Sequence, residues 1–141
     1  MIVVAIIALL AVVAMPSFLR ARQRSQSSKF MNALRVASDA IDLYASENPG
    51  RYPPDRTRGV LPPELATYLD ATLDWTARTP IGGQWDWDFN VFSIKAAISV
   101  VAPDANVEQM TEIDAQFDDG DLATGRFRST VEGRYSCIIE E

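Results

Sequence analysis

The chain has 141 residues, a formal charge of −6 and no histidine. It is long enough for one domain with its own core, and it excludes His-based triads, HExxH metal sites and an imidazole general base. Residues 1–36 carry five basic groups and no acid, whereas the remainder carries eight basic and nineteen acidic groups, which makes the two parts +5 and −11; a folded portion so acidic, without a basic stripe, repels phosphates, so no nucleic-acid partner is expected.

The first fifteen residues, MIVVAIIALLAVVAM, form an unbroken apolar run. As a helix it rises roughly 22 Å, short of a hydrocarbon core of about 30 Å. It does not read as a cleaved secretory signal, because no Lys or Arg precedes it and the apolar stretch passes through Pro16, Ser17, Phe18 and Leu19 without a small-residue cleavage site. A helix apolar on every side demands burial all round, and a chain this small cannot surround it. The alternative of a soluble core helix is therefore disfavoured. The basic residues Arg20, Arg22 and Arg24 follow the run and suit lipid headgroups or the acidic surface of a neighbouring copy.

Beyond Leu19 the pattern becomes striped. Phe30, Leu34, Ala37, Ile41 and Tyr44 recur at spacings of four and three, while Arg35, Asp39, Asp42 and Glu47 lie largely elsewhere. No Gly or Pro interrupts 17–48, so one helix is expected from the start to about Glu47. Pro16 is its internal fault, lacking an N–H for the carbonyl of Val12, and a kink or loosening is expected there. Asn48-Pro49-Gly50 ends the helix. The Pro-Pro pairs at 53–54 and 62–63 give an extended connector with a short helix over Pro63 to Tyr68.

After the turn Thr79-Pro80-Ile81-Gly82-Gly83, Trp85, Trp87 and Phe89 alternate with Asp86, Asp88 and Asn90, the period of a half-buried strand. The aromatic stripe is read as the sheet face packed on the helix; stacking of sugars or bases is its alternative. A second strand is expected over Ser93 to Val101. Asn106 and Gln109 form a capping pair for a short amphipathic helix marked by Val107, Met110, Ile113 and Phe117 and ending at Gly120. Asp118, Asp119 and Asp121 make an acidic turn that lacks the spacing of an EF-hand loop and reads as solvated turn chemistry. Closing strands are expected over Gly125 to Ser129 and Arg134 to Ile139. Cys137, the lone cysteine, lies in an apolar run as a buried thiol.

No arrangement of hydroxyls and carboxylates reads as catalytic, and no GxGxxG, P-loop or metal-spaced Cys cluster occurs. Neither enzymatic activity, a cofactor nor a metal site is therefore expected.

The segment MIVVAIIALLAVVAMPSFLRARQRSQ resembles the N-terminal signature of type IV pilins and the pseudopilins of type II secretion, in which a hydrophobic helix leads to Pro-x-Phe/Leu, here Pro16-Ser17-Phe18. The likeness is close over about the first thirty residues and looser over the rest. In that family a methylated Phe and a Thr-Leu-Ile-Glu-Leu stretch precede the segment, so the resemblance implies a longer precursor with a basic leader. One departure is Ala8, where the family commonly has Gly; Ala favours helix by about 1 kcal/mol over Gly.

The expected fold is α+β and pilin-like: a long N-terminal helix, half hydrophobic and half amphipathic, on a small antiparallel sheet with a short inserted helix. Residues 1–23 would form the membrane or filament-core helix and its basic collar. Residues 24–141 would form the globular domain, with the helix to 47, the connector over 48–66, and the sheet and short helix over 80–141. The resemblance implies a structural subunit of a pilus-like or pseudopilus filament, anchored in the bacterial inner membrane by a single helix, with its globular domain periplasmic or in an extracellular filament. Its partners would be inner-membrane lipid, copies of itself or other pilins, and the pilus or secretion machinery. Ile2, Val3, Ile6, Leu9, Leu10 and Val13 would supply helix packing, Pro16 the bend, and Arg20, Arg22 and Arg24 the ionic contacts. The alternative is a membrane-anchored extracytoplasmic module that binds sugar or Ca²⁺ and does not polymerise.

Overall fold

In the computed structural model, which describes residues 1–69 and 73–141, helix α1 runs over Ile2–Glu47, about 69 Å at 1.5 Å per residue. Pro16 lies inside it without ending it. The helix closes at Asn48, whose backbone N–H bonds to the carbonyl of Tyr44. Burial along α1 divides it in two. Residues 1–25 are exposed apart from a half-buried Ala11, whereas Ser27, Phe30, Met31, Leu34, Ala37, Ala40 and Ile41 are buried. The four-and-three spacing thus selects the face that docks.

That face meets a four-stranded antiparallel sheet. Its strands are β1 (Gln84–Val91), β2 (Ile94–Val101), β3 (Phe127–Val131) and β4 (Arg134–Glu140), in the spatial order β1-β2-β4-β3. The inner face contributes Trp85 and Trp87 from β1, Ala96, Ile98 and Val100 from β2, Phe127 from β3 and Cys137 from β4 to one core with Phe30, Leu34, Ala37 and Ile41. A 3₁₀ turn over Pro63–Leu65 passes directly into α2 (Ala66–Leu69), with proline at its first position. Helix α3 (Val107–Phe117) is inserted between β2 and β3. This is the expected α+β, pilin-like layout. The differences are small: α3 ends three residues before Gly120, and β3 begins two residues later than expected.

The proline-rich connector has a structural task. It runs along β1, the edge strand, with the Trp87 indole N–H donating to the Pro53 carbonyl at 2.9 Å and the Gly59 N–H to the Trp85 carbonyl at 2.7 Å. Asp55 accepts from the Phe89 N–H at 3.2 Å. An open edge would otherwise invite pairing with another chain. At the start of β1, Gly83 has φ of +73°, and a Cβ there would stand 2.4 Å from the Val101 carbonyl oxygen. Only glycine allows the backbones to approach so closely.

β1 and β2 are joined through Phe92 and Ser93, both at positive φ (53° and 61°), with Val91 paired to Ile94. Two consecutive left-handed residues suit the twist of a tight hairpin, although neither is of the residue types that favour it. Phe92 and Ser93 thus form a two-residue hairpin turn, and the second strand begins at Ile94, not at Ser93 as expected.

Candidate functional site

The residues singled out for the apolar rod remain together on α1, outside the buried core. Ile2, Val3, Ile6, Leu9, Leu10 and Val13 are exposed, Leu9 by 72 %. Pro16 is likewise exposed, as are Arg20, Arg22 and Arg24, and none of these three arginines enters an ion pair among the described residues. α1 is long and apolar enough to cross a membrane, which is compatible with single-pass anchoring.

Below the collar, α3 is fastened to α1. The Asn106 side chain accepts from the Gln109 backbone N–H at 2.9 Å, which caps α3. The Gln109 side chain does not reach back to complete the capping box; its Nε2 donates instead to Ser27 Oγ at 3.1 Å on α1. Arg20 and Arg24 on α1 and Glu108 and Glu112 on α3 line one groove there, so the two signs of charge face each other beneath the rod.

The outer face of the sheet departs from the sequence reading. Asp86 and Asp88, expected on the solvent side, are only 4 % exposed. Both are held by Arg134, which reaches across from β4: Nη1 donates to the two Asp88 oxygens at 2.6 and 2.7 Å, and Nη2 to Asp86 Oδ2 at 2.8 Å. Ser99, opposite Asp86 in the β1–β2 register and Ser136 in the β2–β4 register, donates to Asp88 and lies 2.7 Å from the Ser136 hydroxyl. The guanidinium sits 4.9 Å from the centroid of the Phe92 ring, a cation–π arrangement that accounts for an aromatic residue at the hairpin turn.

One guanidinium cannot neutralise two carboxylates. Burial pushes the Asp86 carboxyl up to about 6, Arg134 opposes that rise, and the charge of Asp88 adds to it. Asp86 Oδ1 has no hydrogen-bond partner among the described residues. The sequence carried a trace of this cluster, since Arg134 and Ser136 share one face of β4; yet alternating Asp in a strand more often marks a wet face.

The remaining candidates are structural. Trp85 and Trp87 lie in the core, 1 % and 0 % exposed, so neither can stack a sugar or a base. Cys137 is fully buried, and desolvation pushes its thiol up to about 11, which keeps it in the unreactive protonated form. The acidic turn is exposed at Asp118, Asp119 and Asp121, and a further carboxyl missed by sequence reasoning, Asp114 of α3, lies fully buried beside it. Burial, followed by the charges of Asp119 and Asp118, pushes the Asp114 carboxyl up to about 6.

Comparison with known proteins adds no relative: no protein-family model matches the chain, and neither a curated protein nor a solved structure matches it.

Proposed function

We propose that the chain is a pilin-like structural subunit whose apolar rod lies in the membrane before assembly and against the rods of neighbouring subunits afterwards. The carrying observation is the division of α1. From Met1 to Leu19, thirteen large apolar side chains are exposed. At about 1.5–3 kcal/mol for full burial of each, leaving them in water forfeits on the order of 20 kcal/mol or more, beyond the 5–15 kcal/mol typical of a domain's stability. An apolar surround, lipid first and protein next, removes that cost. The amphipathic part of α1 holds the sheet, so the rod projects as a handle while the acidic domain stays in water.

In this reading Ile2, Val3, Ile6, Leu9, Leu10 and Val13 pack against partner helices, and Arg20, Arg22 and Arg24 meet lipid phosphates or the acidic domain of the next subunit. The resemblance of the N-terminal segment to type IV pilins and type II secretion pseudopilins supports a filament in preference to a lone anchor. Leu9→Asp tests it. The variant is expected to leave the membrane fraction or to fail in filament assembly, with the globular domain still folded. A charged Leu9 variant that remains in the membrane and forms filaments at the wild-type level would overturn the reading.

A further inference from the structure

Arg20 and Arg24 stand one helical turn apart on α1, and Glu108 and Glu112 one turn apart on α3. All four line one groove of about 280 Å³ between the two helices. One wall thus carries two positive charges and the other two negative charges. None of the four enters an ion pair among the described residues. Direct pairing of exposed charges contributes little, so a ligand that brings a charge of each sign between the walls displaces no strong contact.

The level of the groove along α1 is an independent observation. The exposed apolar stretch ends at Leu19, and Arg20 and Arg24 follow about 1.5 and 7.5 Å further along the axis. A bilayer adds about 5–7 Å of headgroup region on each side of its hydrocarbon core. With Leu19 at the edge of the hydrocarbon, the groove lies in the headgroup layer. The start of α3 is held at the same level, because Gln109 Nε2 donates to the Gln23 carbonyl at 3.4 Å and to Ser27 Oγ at 3.1 Å. Val107, the first residue of α3, is 64 % exposed, an apolar side chain left bare beside the groove wall.

The charges select the headgroup. A purely anionic lipid would satisfy the arginines but bring its phosphate against two glutamates with no cation for them. A zwitterion serves both walls: guanidinium groups donate to phosphate oxygens, and carboxylates accept from an ammonium that has N–H groups to give. A quaternary ammonium has none and is held instead by aromatic faces. No described residue that lines the groove is aromatic.

We propose that this groove binds the phosphoethanolamine headgroup of a membrane lipid, with the phosphate on Arg20 and Arg24 and the ammonium on Glu108 and Glu112. Its volume lies just below the roughly 300 Å³ at which small-molecule clefts begin, so it takes the headgroup and leaves the acyl chains outside along the rod. The site requires the rod in the membrane, as in the filament-subunit reading, and adds to it a choice among lipids.

The test uses the full chain in uncharged maltoside micelles, titrated with short-chain phospholipids bearing ethanolamine, choline or glycerol headgroups and, separately, with free phosphoethanolamine. The NMR signals of the Glu108 backbone amide and the Gln109 side-chain amide report occupancy. Saturable shifts are expected with the ethanolamine lipid, at least about tenfold weaker binding of the other two lipids, because each lacks the donors for the glutamates, and no saturation with free phosphoethanolamine at matched concentration. Glu108→Gln combined with Glu112→Gln, both at exposed positions, is expected to erase the ethanolamine preference and strengthen binding of the glycerol lipid. Arg20→Gln combined with Arg24→Gln is expected to weaken all three lipids at least about tenfold, with retention in the membrane fraction unchanged. An equal response to the three lipids, an undiminished ethanolamine preference in the glutamate variant, or equal affinity for free phosphoethanolamine would overturn the site while leaving the rod in the membrane. Shifts that follow protein concentration and not lipid would give the groove to a second copy and overturn it as well. Loss of the wild-type chain from the membrane fraction would overturn the rod reading and the site with it.

Discussion

Phe30 of α1 stacks on Trp85 of β1 with ring centroids 5.3 Å apart and planes 8° from parallel. Trp75 stacks on the same indole at 5.8 Å, and Phe127 of β3 meets Phe30 edge-on at 6.2 Å. These rings join the long helix to an edge strand at each side of the sheet. Phe30 is also among the first residues of α1 to be buried, so it marks where the rod ends and the domain begins.

Truncation of that ring isolates the docking energy of α1. Phe30→Ala is expected to destabilise the globular part by about 3–5 kcal/mol, the usual cost of emptying a buried aromatic site, as read from denaturant unfolding of the full chain in micelles. Retention in the membrane fraction should be unchanged, because residues 1–25, exposed apart from a half-buried Ala11, supply no ring to this aromatic stack. Loss of membrane retention at wild-type expression would mean that rod and domain are not separable as the burial pattern says.

The buried cluster on the opposite face makes a prediction with a definite sign in pH. Asp86 is raised by burial to about 6, with Arg134, Asp88 and Asp55 as the charged groups acting on it. A carboxyl whose folded pKa lies above its unfolded value binds its proton more tightly when folded, so its contribution favours folding at low pH and is lost as pH rises from about 4 to about 6. Asp86→Asn keeps an acceptor for Arg134 and removes the charge. It should match the wild type near pH 4 and be the more stable near pH 7.5, by on the order of 1 kcal/mol once screening is allowed for. Arg134→Met should do the reverse, at a cost of about 3–5 kcal/mol at neutral pH. Melting curves from pH 4 to 8 check both; an Asp86→Asn variant less stable at pH 7.5 than at pH 4, relative to wild type, would contradict the assignment.

How much of this was legible in the sequence depends on whether the information was periodic or relational. The docking face of α1 followed from Phe30, Leu34, Ala37 and Ile41 alone, because a period of 3.6 is written along one element. The alternation of Trp85 and Trp87 located the inner sheet face for the same reason. What alternation could not decide was the state of the other face: Asp86 and Asp88 occupy positions that water usually takes, and they are buried only because Arg134, far along the chain, lies across β2. The missed Asp114 has the same origin. At the helix end its neighbours in sequence pointed to the turn of Asp118, Asp119 and Asp121, and only the fold places it under that turn. The hairpin at Phe92-Ser93 left no such mark, since neither residue is of the types that favour the left-handed backbone of a two-residue turn.

The cap of α3 is a local feature that the sequence marked and the structure retains in part. Asn106→Ala removes the acceptor for the Gln109 N–H and should cost about 1 kcal/mol. Gln109→Ala should cost a similar amount by a different route, since its side chain bonds to Ser27 of α1 and a net hydrogen bond is worth about 1 kcal/mol. The double variant tests their independence. Because Asn106 acts on the backbone of residue 109 and Gln109 acts through its side chain, the two losses should add within about 0.5 kcal/mol. A large positive or negative coupling in denaturant unfolding would mean that the cap and the contact with α1 form a single unit.

Pro16 concerns the rod itself. α1 continues through it, yet the carbonyl of Val12 receives no N–H from position 16, and a proline inside a helix costs about 3 kcal/mol or more. The continuous helix therefore contains a built-in weak turn between its membrane-like part and the collar of Arg20, Arg22 and Arg24. Replacing Pro16 with Ala restores the missing bond and a strong helix former. In full-length chain in micelles, amide hydrogen exchange around residues 15–19 should slow by up to about a hundredfold, as local opening becomes harder by a few kcal/mol, while exchange in the docked half near Leu34 and Ile41 stays as in the wild type. Unchanged exchange on both sides would show that neighbouring turns already compensate for the proline and that α1 has no weak point there.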